Sequence, residues 1–175
     1  MDIDFDIKES KLIRGVYVIK PSISKDNRGN IWTSYLKEKI EELLPHELFF
    51  KHDKFSQSSK NVLRGIHCDD KTWKLVTCVF GSILQIVVDC REDSDTYASY
   101  ESYRINEKNQ LSVLIPPKLG NAHYVKSRHA VYHYKLAYDG KYIDAEEQFT
   151  YKWNDPIFNI KWPTKNPILS ERDKK

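Results

Sequence analysis

The chain has 175 residues, and 28 Lys and Arg against 25 Asp and Glu leave a formal charge of +3. That length fits one domain, residues 1–175, able to bury its own apolar core without staples. The small, scattered charge forms no basic stripe or arm, which argues against a nucleic-acid partner. Cys68, Cys78 and Cys90 are odd in number and lie in or beside apolar runs, the pattern of reduced thiols in a cytoplasmic protein. The acidic start, Met1 to Asp6, has no apolar signal region, and the longest apolar run, Ile83 to Val88, is broken by Gln85. Neither suits a membrane segment.

Leu12 to Ile19 alternates around Val16, Tyr17 and Val18 until Pro21, and predicts a strand. Asp26 to Asn30 is a turn, followed by a short aromatic strand from Ile31 to Tyr35. Leu36, Ile40, Leu43 and Leu44 recur at helical spacing, so 36–44 predicts a helix that Pro45 ends. From Phe49 onward the pattern is short strands and tight turns. Lys74 to Phe80 and Ile83 to Asp89, joined by Gly81-Ser82, predict a two-residue hairpin. Tyr100 to Ile105 and Gln110 to Ile115, around Asn106 to Asn109, predict a second, and His123 to Lys126 and Ala130 to Ala137 add two strands. The sum is an all-β antiparallel sandwich or barrel with a few short helices. The tail from Trp153 to Asp173 has no regular period, but Trp153 and Trp162 need burial. It is expected to pack back on the barrel and carry Asp173 inward.

The stretch from Asn61 to His67 sets an arginine and a histidine three residues apart on an apolar run. Strand alternation would send Arg64 and His67 to opposite faces. A bend at Gly65, whose backbone is free, would bring both to one cavity. Further polar groups sit at the edges of strand-like runs: Lys74, Asp89, His123, Tyr134 and, in the tail, Asp173.

Ordered pieces of this chain match a known family. They are Asp26-Asn27-Arg28-Gly29, Val62 to His67, Lys74-Leu75-Val76, Val88 to Arg91, Ile115-Pro116 with Ala122-His123, Tyr134-Lys135, Trp153 to Pro156, Trp162-Pro163 and Leu169 to Asp173. Each piece is weak alone; their order and spacing from residue 26 to 173 are specific. The chain resembles the nucleotide-linked 4-keto-sugar 3,5-epimerases typified by dTDP-4-dehydrorhamnose 3,5-epimerase. The resemblance implies a jelly-roll (cupin-like) barrel and a cofactor-independent isomerase acting through an enolate. It implies His67 as the base, Asp173 as the carboxylate that orients it, Tyr134 as the acid on the opposite ring face and Lys74 as the enolate's partner. Asp89 and His123 would form a second pair beside Lys74, while Arg64 and Arg28 would hold the diphosphate. A homodimer follows from the same resemblance, with Arg28 serving the neighbouring site.

The chemistry wants these residue types independently. Inversion beside a ketone needs a base on one face and an acid on the other, and a positioned acid or base contributes about 10²–10⁴ in rate. Arginine's planar fork suits a diphosphate.

Two presumed base-contacting positions depart from the family pattern: Thr33 replaces a glutamate, and His52 a glutamine. Tyr124-Val125 and a longer 117–121 segment alter the wall near the sugar. These departures resemble the branch acting on GDP-linked 4-keto-heptoses in capsule synthesis, and predict a GDP-linked substrate over a dTDP-linked one. Three alternatives stand beside it: a dTDP-4-keto-6-deoxyglucose 3,5-epimerase, a 3,4-ketoisomerase, and a non-catalytic sugar-binding jelly roll. A cupin metal site would have to use His67, Asp69 and His123, without the usual near pair of histidines, so no metal is expected.

Overall fold

Short apolar runs leave unpaired backbone on both flanks, and here all but one pair of strands find neighbours within two antiparallel sheets. The computed structural model describes residues 3–175; Met1 and Asp2, the start of the acidic N-terminal segment, lie outside the described residues. In chain order the strands are β1 (Phe5–Glu9), β2 (Tyr17–Pro21), β3 (Ile23–Asp26), β4 (Gly29–Trp32), β5 (Phe50–Ser59), β6 (Leu63–Cys68) and β7 (Trp73–Phe80). They continue as β8 (Ser82–Asp89), β9 (Tyr100–Asn106), β10 (Ser112–Ile115), β11 (Leu119–Val125), β12 (His129–Ala137) and β13 (Phe149–Thr150). One sheet has the order β1-β2-β10-β7-β12-β5 and the other β13-β6-β11-β8-β9, while β3 and β4 form a separate hairpin. This is the jelly-roll sandwich expected from the sequence.

The core lies between the sheets, where Val76, Cys78 and Val113 of the first meet Ile83, Val87 and Ile105 of the second, all fully buried. Each such side chain contributes roughly 1.5–3 kcal/mol on burial. Both outer faces are also covered in part. Phe158 and Trp162 of the tail pack on Ile66, Ile86 and Val88, and Ile40 and Leu44 pack on Leu75 and Leu114. Double-sided cover explains why β7 and β8 read as nearly continuous apolar runs.

The predicted helix is present but short, and it ends as a 3₁₀ turn: helix α1 covers Lys37–Ile40 and the 3₁₀ turn follows over Glu41–Leu43. The first predicted strand begins later and runs through Pro21, because Ser10 Oγ accepts the N–H groups of Leu12 and Ile13 and bends that stretch. Strand β1 and the length of β5 were not foreseen; β5 is polar along most of its ten residues. The larger correction concerns the two predicted hairpins. β7 and β8 lie in different sheets, as do β9 and β10, so Gly81 and the Asn106–Gln110 turn are corners where the chain crosses the sandwich. Gly81 makes its corner at φ +81°, and a Cβ there would collide with the His129 carbonyl.

The bend expected at Gly65 takes the form of a β-bulge. Residues Arg64 and His67 of β6 pair with His123 and Asn121 of β11, so two residues, Gly65 and Ile66, oppose the single Ala122. The extra residue reverses the alternation and points Arg64 and His67 to one side. Gly65 has φ +129°, and a Cβ on it would run into Ala122 and the Asn121 carbonyl.

Beneath the bulge, His123 is buried and stacked on Tyr132, with ring centroids 3.9 Å apart. Tyr132 donates to Gln85 Oε1 at 2.7 Å, and Gln85 Nε2 donates to Asn121 Oδ1 at 2.6 Å. Burial, then the positive charge of Arg64 and the neighbouring His67, pushes the His123 imidazole down to about 3. It is therefore neutral in the folded protein at neutral pH.

Two predictions follow from these local features. Gly65→Ala combines left-handed strain with overpacking, each roughly 1–3 kcal/mol. Its denaturant midpoint should drop accordingly, and a wild-type midpoint would mean the bulge tolerates a side chain. For His123, the folded pKa lies below the unfolded value of about 6.5, so the unfolded chain takes up a proton that the folded chain refuses. Stability should fall as pH drops from about 6.5, by up to about 1.4 kcal/mol per pH unit from this group. His123→Phe keeps the ring stack, and urea titrations between pH 6 and 4 should show a flatter dependence; an unchanged slope would assign the acid sensitivity elsewhere.

Candidate active site

The bulge opens onto a cavity of about 300 Å³ between the sheets. Arg64, His67 and Asn121 come from the β13-to-β9 sheet; Lys74, Tyr134, Ser56 and Lys54 come from the other. Tyr142 and Gln148 close it from the segment before β13, and Ser170, Arg172 and Asp173 from the tail.

The tail reaches the site because its backbone is tied to β6. Ile168 N–H donates to the Asn61 carbonyl at 2.8 Å, and Leu63 N–H to the Ile168 carbonyl at 3.0 Å. Five residues on, Asp173 is 2% exposed with Oδ1 2.6 Å from His67 Nε2. Burial pushes the Asp173 carboxyl up, but the hydrogen bond and charge of His67, with Ser170 and the Gly65 N–H, outweigh it and hold the group below the usual range. An ionised aspartate therefore stands against the imidazole. It fixes the ring's orientation through the Oδ1–Nε2 contact.

Tyr134 lies on β12 in the opposite sheet. Burial pushes its phenol up to about 12, against the opposing pull of Arg64 and Ser56, so it carries its proton at neutral pH. Lys74 is 4% exposed and donates to Asp69 Oδ2 at 2.8 Å. Burial would raise the Asp69 carboxyl, yet the Lys74 charge and hydrogen bonds from Lys74 and Thr72 lower it. Arg64 Nε donates to the neutral Ser58 hydroxyl at 3.0 Å, which leaves its other N–H groups for an anion. At the same end of the pocket wall, Lys54 Nζ sits 5.4 Å from the Tyr142 ring centroid, and Arg172 donates to Thr150 and Gln148.

Five of the expected site residues thus meet in one cavity: Arg64, His67, Lys74, Tyr134 and Asp173. Five others do not line it. Asp89 is not beside Lys74; it accepts from Arg91, Ser94 and Thr96 and caps the loop after β8, and these hydrogen bonds hold it ionised despite burial. His123 lies under the cavity floor against Tyr132 rather than in its wall. Arg28 is exposed and paired with Asp26 on the β3–β4 hairpin, whose far end leads to Thr33. His52 faces Tyr138 and Tyr142, with its Nδ1 3.3 Å from the Tyr138 hydroxyl. The hypothetical metal set is dispersed: His67 is bonded to Asp173, Asp69 to Lys74, and His123 is stacked in the core. Among the described residues, no group of three His, Cys, Asp or Glu side chains is arranged to hold a metal, and no helix is long and apolar enough to cross a membrane.

The sequence reading missed Ser56, Ser58, Lys54, Tyr142 and Arg172, and weighed Asp69 only as a metal ligand. Strand parity was the available signal, since Lys54, Ser56 and Ser58 alternate along β5 and its partner residues on β12 include Tyr134. Ser56 Oγ comes close to the Tyr134 hydroxyl and Thr72 Oγ1 to the Asp69 carboxylate, yet neither reaches hydrogen-bonding geometry.

Residues 10–175 match the family model for dTDP-4-dehydrorhamnose 3,5-epimerase. The chain is 30% identical to the dTDP-4-dehydrorhamnose 3,5-epimerase of Salmonella typhimurium, across 92% of this chain and 88% of that protein. It is 33% identical to a dTDP-4-dehydrorhamnose 3-epimerase of Streptomyces niveus, across 92% of this chain and 78% of that one. Among solved structures, the dTDP-6-deoxy-D-glucose-3,5-epimerase of Legionella pneumophila, in complex with dTDP-4-keto-L-rhamnose, superposes with a TM-score of 0.88 at 31% identity. That match covers 97% of this chain and 90% of the other. With the fold, the cavity and these matches in agreement over nearly its whole length, the chain belongs to the dTDP-4-dehydrorhamnose 3,5-epimerase family, isomerases of nucleotide-linked 4-keto sugars.

Proposed function

We propose that the protein inverts carbon 3, carbon 5 or both of dTDP-4-keto-6-deoxyglucose by proton removal and return through an enolate. The observation that carries this reading is the His67–Asp173 pair on one wall of a cavity whose opposite wall carries a protonated Tyr134. His67 takes the proton beside the ketone, and Asp173 stabilises the imidazolium that forms. Lys74 meets the enolate oxygen, a role in which a fixed donor is worth roughly 3–4 kcal/mol. Tyr134 returns a proton to the other face. Arg64 binds the diphosphate. Proton removal shifts the C–H electron pair into the enolate and onto its oxygen, and reprotonation at carbon returns it, so there is no net oxidation or reduction and the reaction calls for no redox cofactor.

The named relatives carry dTDP in their names, which favours a dTDP-linked substrate and gives no support to the expected GDP-linked heptose. The GDP reading rests on the altered sugar wall at Tyr124-Val125 and residues 117–121 and on two replacements at presumed base-contacting positions, Thr33 and His52. Neither residue lines this chain's own cavity. A homodimer would account for Thr33: among the described residues the β3–β4 hairpin pairs with no strand of either sheet, and Arg28 and Thr33 would reach the partner's cavity from it.

The decisive experiment incubates the protein with 4-keto nucleotide sugars in heavy water and follows the ring protons by NMR. His67→Asn should lose exchange at carbons 3 and 5 by about 10²–10⁴ while remaining folded. Tyr134→Phe should still incorporate deuterium, with inverted product reduced on the order of 10² or more. Equal losses in exchange and inversion would make Tyr134 a binding residue, and exchange surviving in His67→Asn would remove the histidine from the mechanism. Calorimetry should give tighter binding of dTDP than of GDP; the reverse order would restore the GDP-linked reading.

A further inference from the structure

We propose that Asp69 is a positioning residue for Lys74, fixing the ammonium where the enolate oxygen develops and keeping it charged; this rests on the epimerase reading above. Lys74 has a side chain only 6% exposed, and burial alone drives an ammonium towards its neutral form. Asp69, whose side chain is 1% exposed, supplies the opposite charge at 2.8 Å.

The carboxylate is the fixed member of the pair. Its Oδ1 receives the N–H of Thr72 at 2.6 Å and of Lys71 at 3.1 Å, and the Asp69 carbonyl receives the Lys118 N–H at 2.8 Å. Backbone therefore holds Asp69 from both the β6–β7 turn and the start of β11, and the flexible lysine stem is aimed by it. One ammonium proton is taken by Oδ2, which leaves two for a sugar oxygen in the cavity.

The groups around Lys74 set the sign of the pH effect. Asp69 and the Cys68 thiol adjoin it from the β6–β7 segment, and β10 presents only Ile115 in register. Arg64 and His67 share its cavity from β6, Tyr134 from β12 and Asp173 from the tail. With Asp173 already committed to His67, Asp69 is the carboxylate bonded to Lys74. Removing its charge leaves the ammonium in the same cavity as Arg64 with no counter-charge bonded to it.

The test compares wild type with Asp69→Asn by two readouts. NMR titration of the Lys74 side-chain carbon beside the amine should move down by about one pH unit or more, as for loss of an opposite charge at contact distance. The alkaline limb of kcat for exchange should move down with it, while KM changes by less than about threefold. Loss of kcat with both limbs unmoved would overturn the proposal and leave Asp69 a loop brace. If Asp69→Asn does not fold, Lys74→Met is compared with Asp69→Asn/Lys74→Met, which contains no unpaired buried charge. Equal residual exchange supports action through Lys74, and a further loss overturns it. Failure of the wild type to exchange any 4-keto sugar proton would sink the epimerase reading instead, and the Lys74 titration reports on the pairing even then.

Discussion

The site depends on one extra residue in one strand. A regular β6 would turn either Arg64 or His67 to the outer face, under the tail. The bulge at Gly65 and Ile66 removes that choice, and only a glycine fits its positive φ and the closeness of Ala122. Asp173 is drawn in by the same feature, since the Gly65 N–H is among the groups that hold its carboxylate ionised. Arg64, His67 and Asp173, the anchor, base and supporting carboxylate of the proposed reaction, are therefore positioned by a single backbone irregularity.

The cavity's charges are arranged in pairs of unequal exposure. His67 faces the cavity with 22% of its side chain exposed, and Asp173 behind it has 3%. Lys74 and Asp69 repeat the pattern more deeply, at 6% and 1%. In each pair the acid is the more buried, backbone-held partner, and the basic side chain is the one that meets substrate in the proposed reaction. Such an order lets the reacting group change its protonation while its counter-charge stays in place. Tyr134 differs because it has no carboxylate against it, and burial keeps its proton on.

Much of this was legible in the sequence, and the rest was hidden for identifiable reasons. The strands, the inward tail and the bend at Gly65 follow from alternation, tryptophan burial and backbone freedom, all local properties. Which strands pair does not. Gly81 marks a sharp turn whether the next strand lies beside β7 or across the sandwich from it, so both predicted hairpins were corners. The partner of Lys74 was missed on similar grounds: Asp69 is five residues away and Asp89 fifteen, but no period decides between them. Asp89 was already satisfied by Arg91, Ser94 and Thr96, hydroxyls and a guanidinium that read in the sequence as an ordinary loop. Hydrophobic pattern thus sets the layers, while polar pairing depends on which strands and turns the fold brings together.

The corners have a consequence for how the protein folds. Because β7, β9 and β11 are each followed by a strand in the other sheet, few neighbours in sequence become neighbours in a ladder. β5 must wait for β12 and β2 for β10, separations of roughly seventy to a hundred residues, and such closures fold slowly because loop entropy is lost before contacts compensate. The candidate active-site cavity draws on β5, β6, β7, β11, β12 and the tail, so no half-formed sheet contains it. Activity should therefore appear late in refolding, after most of the strand signal has returned, and partly folded chains would be inert towards nucleotide sugars.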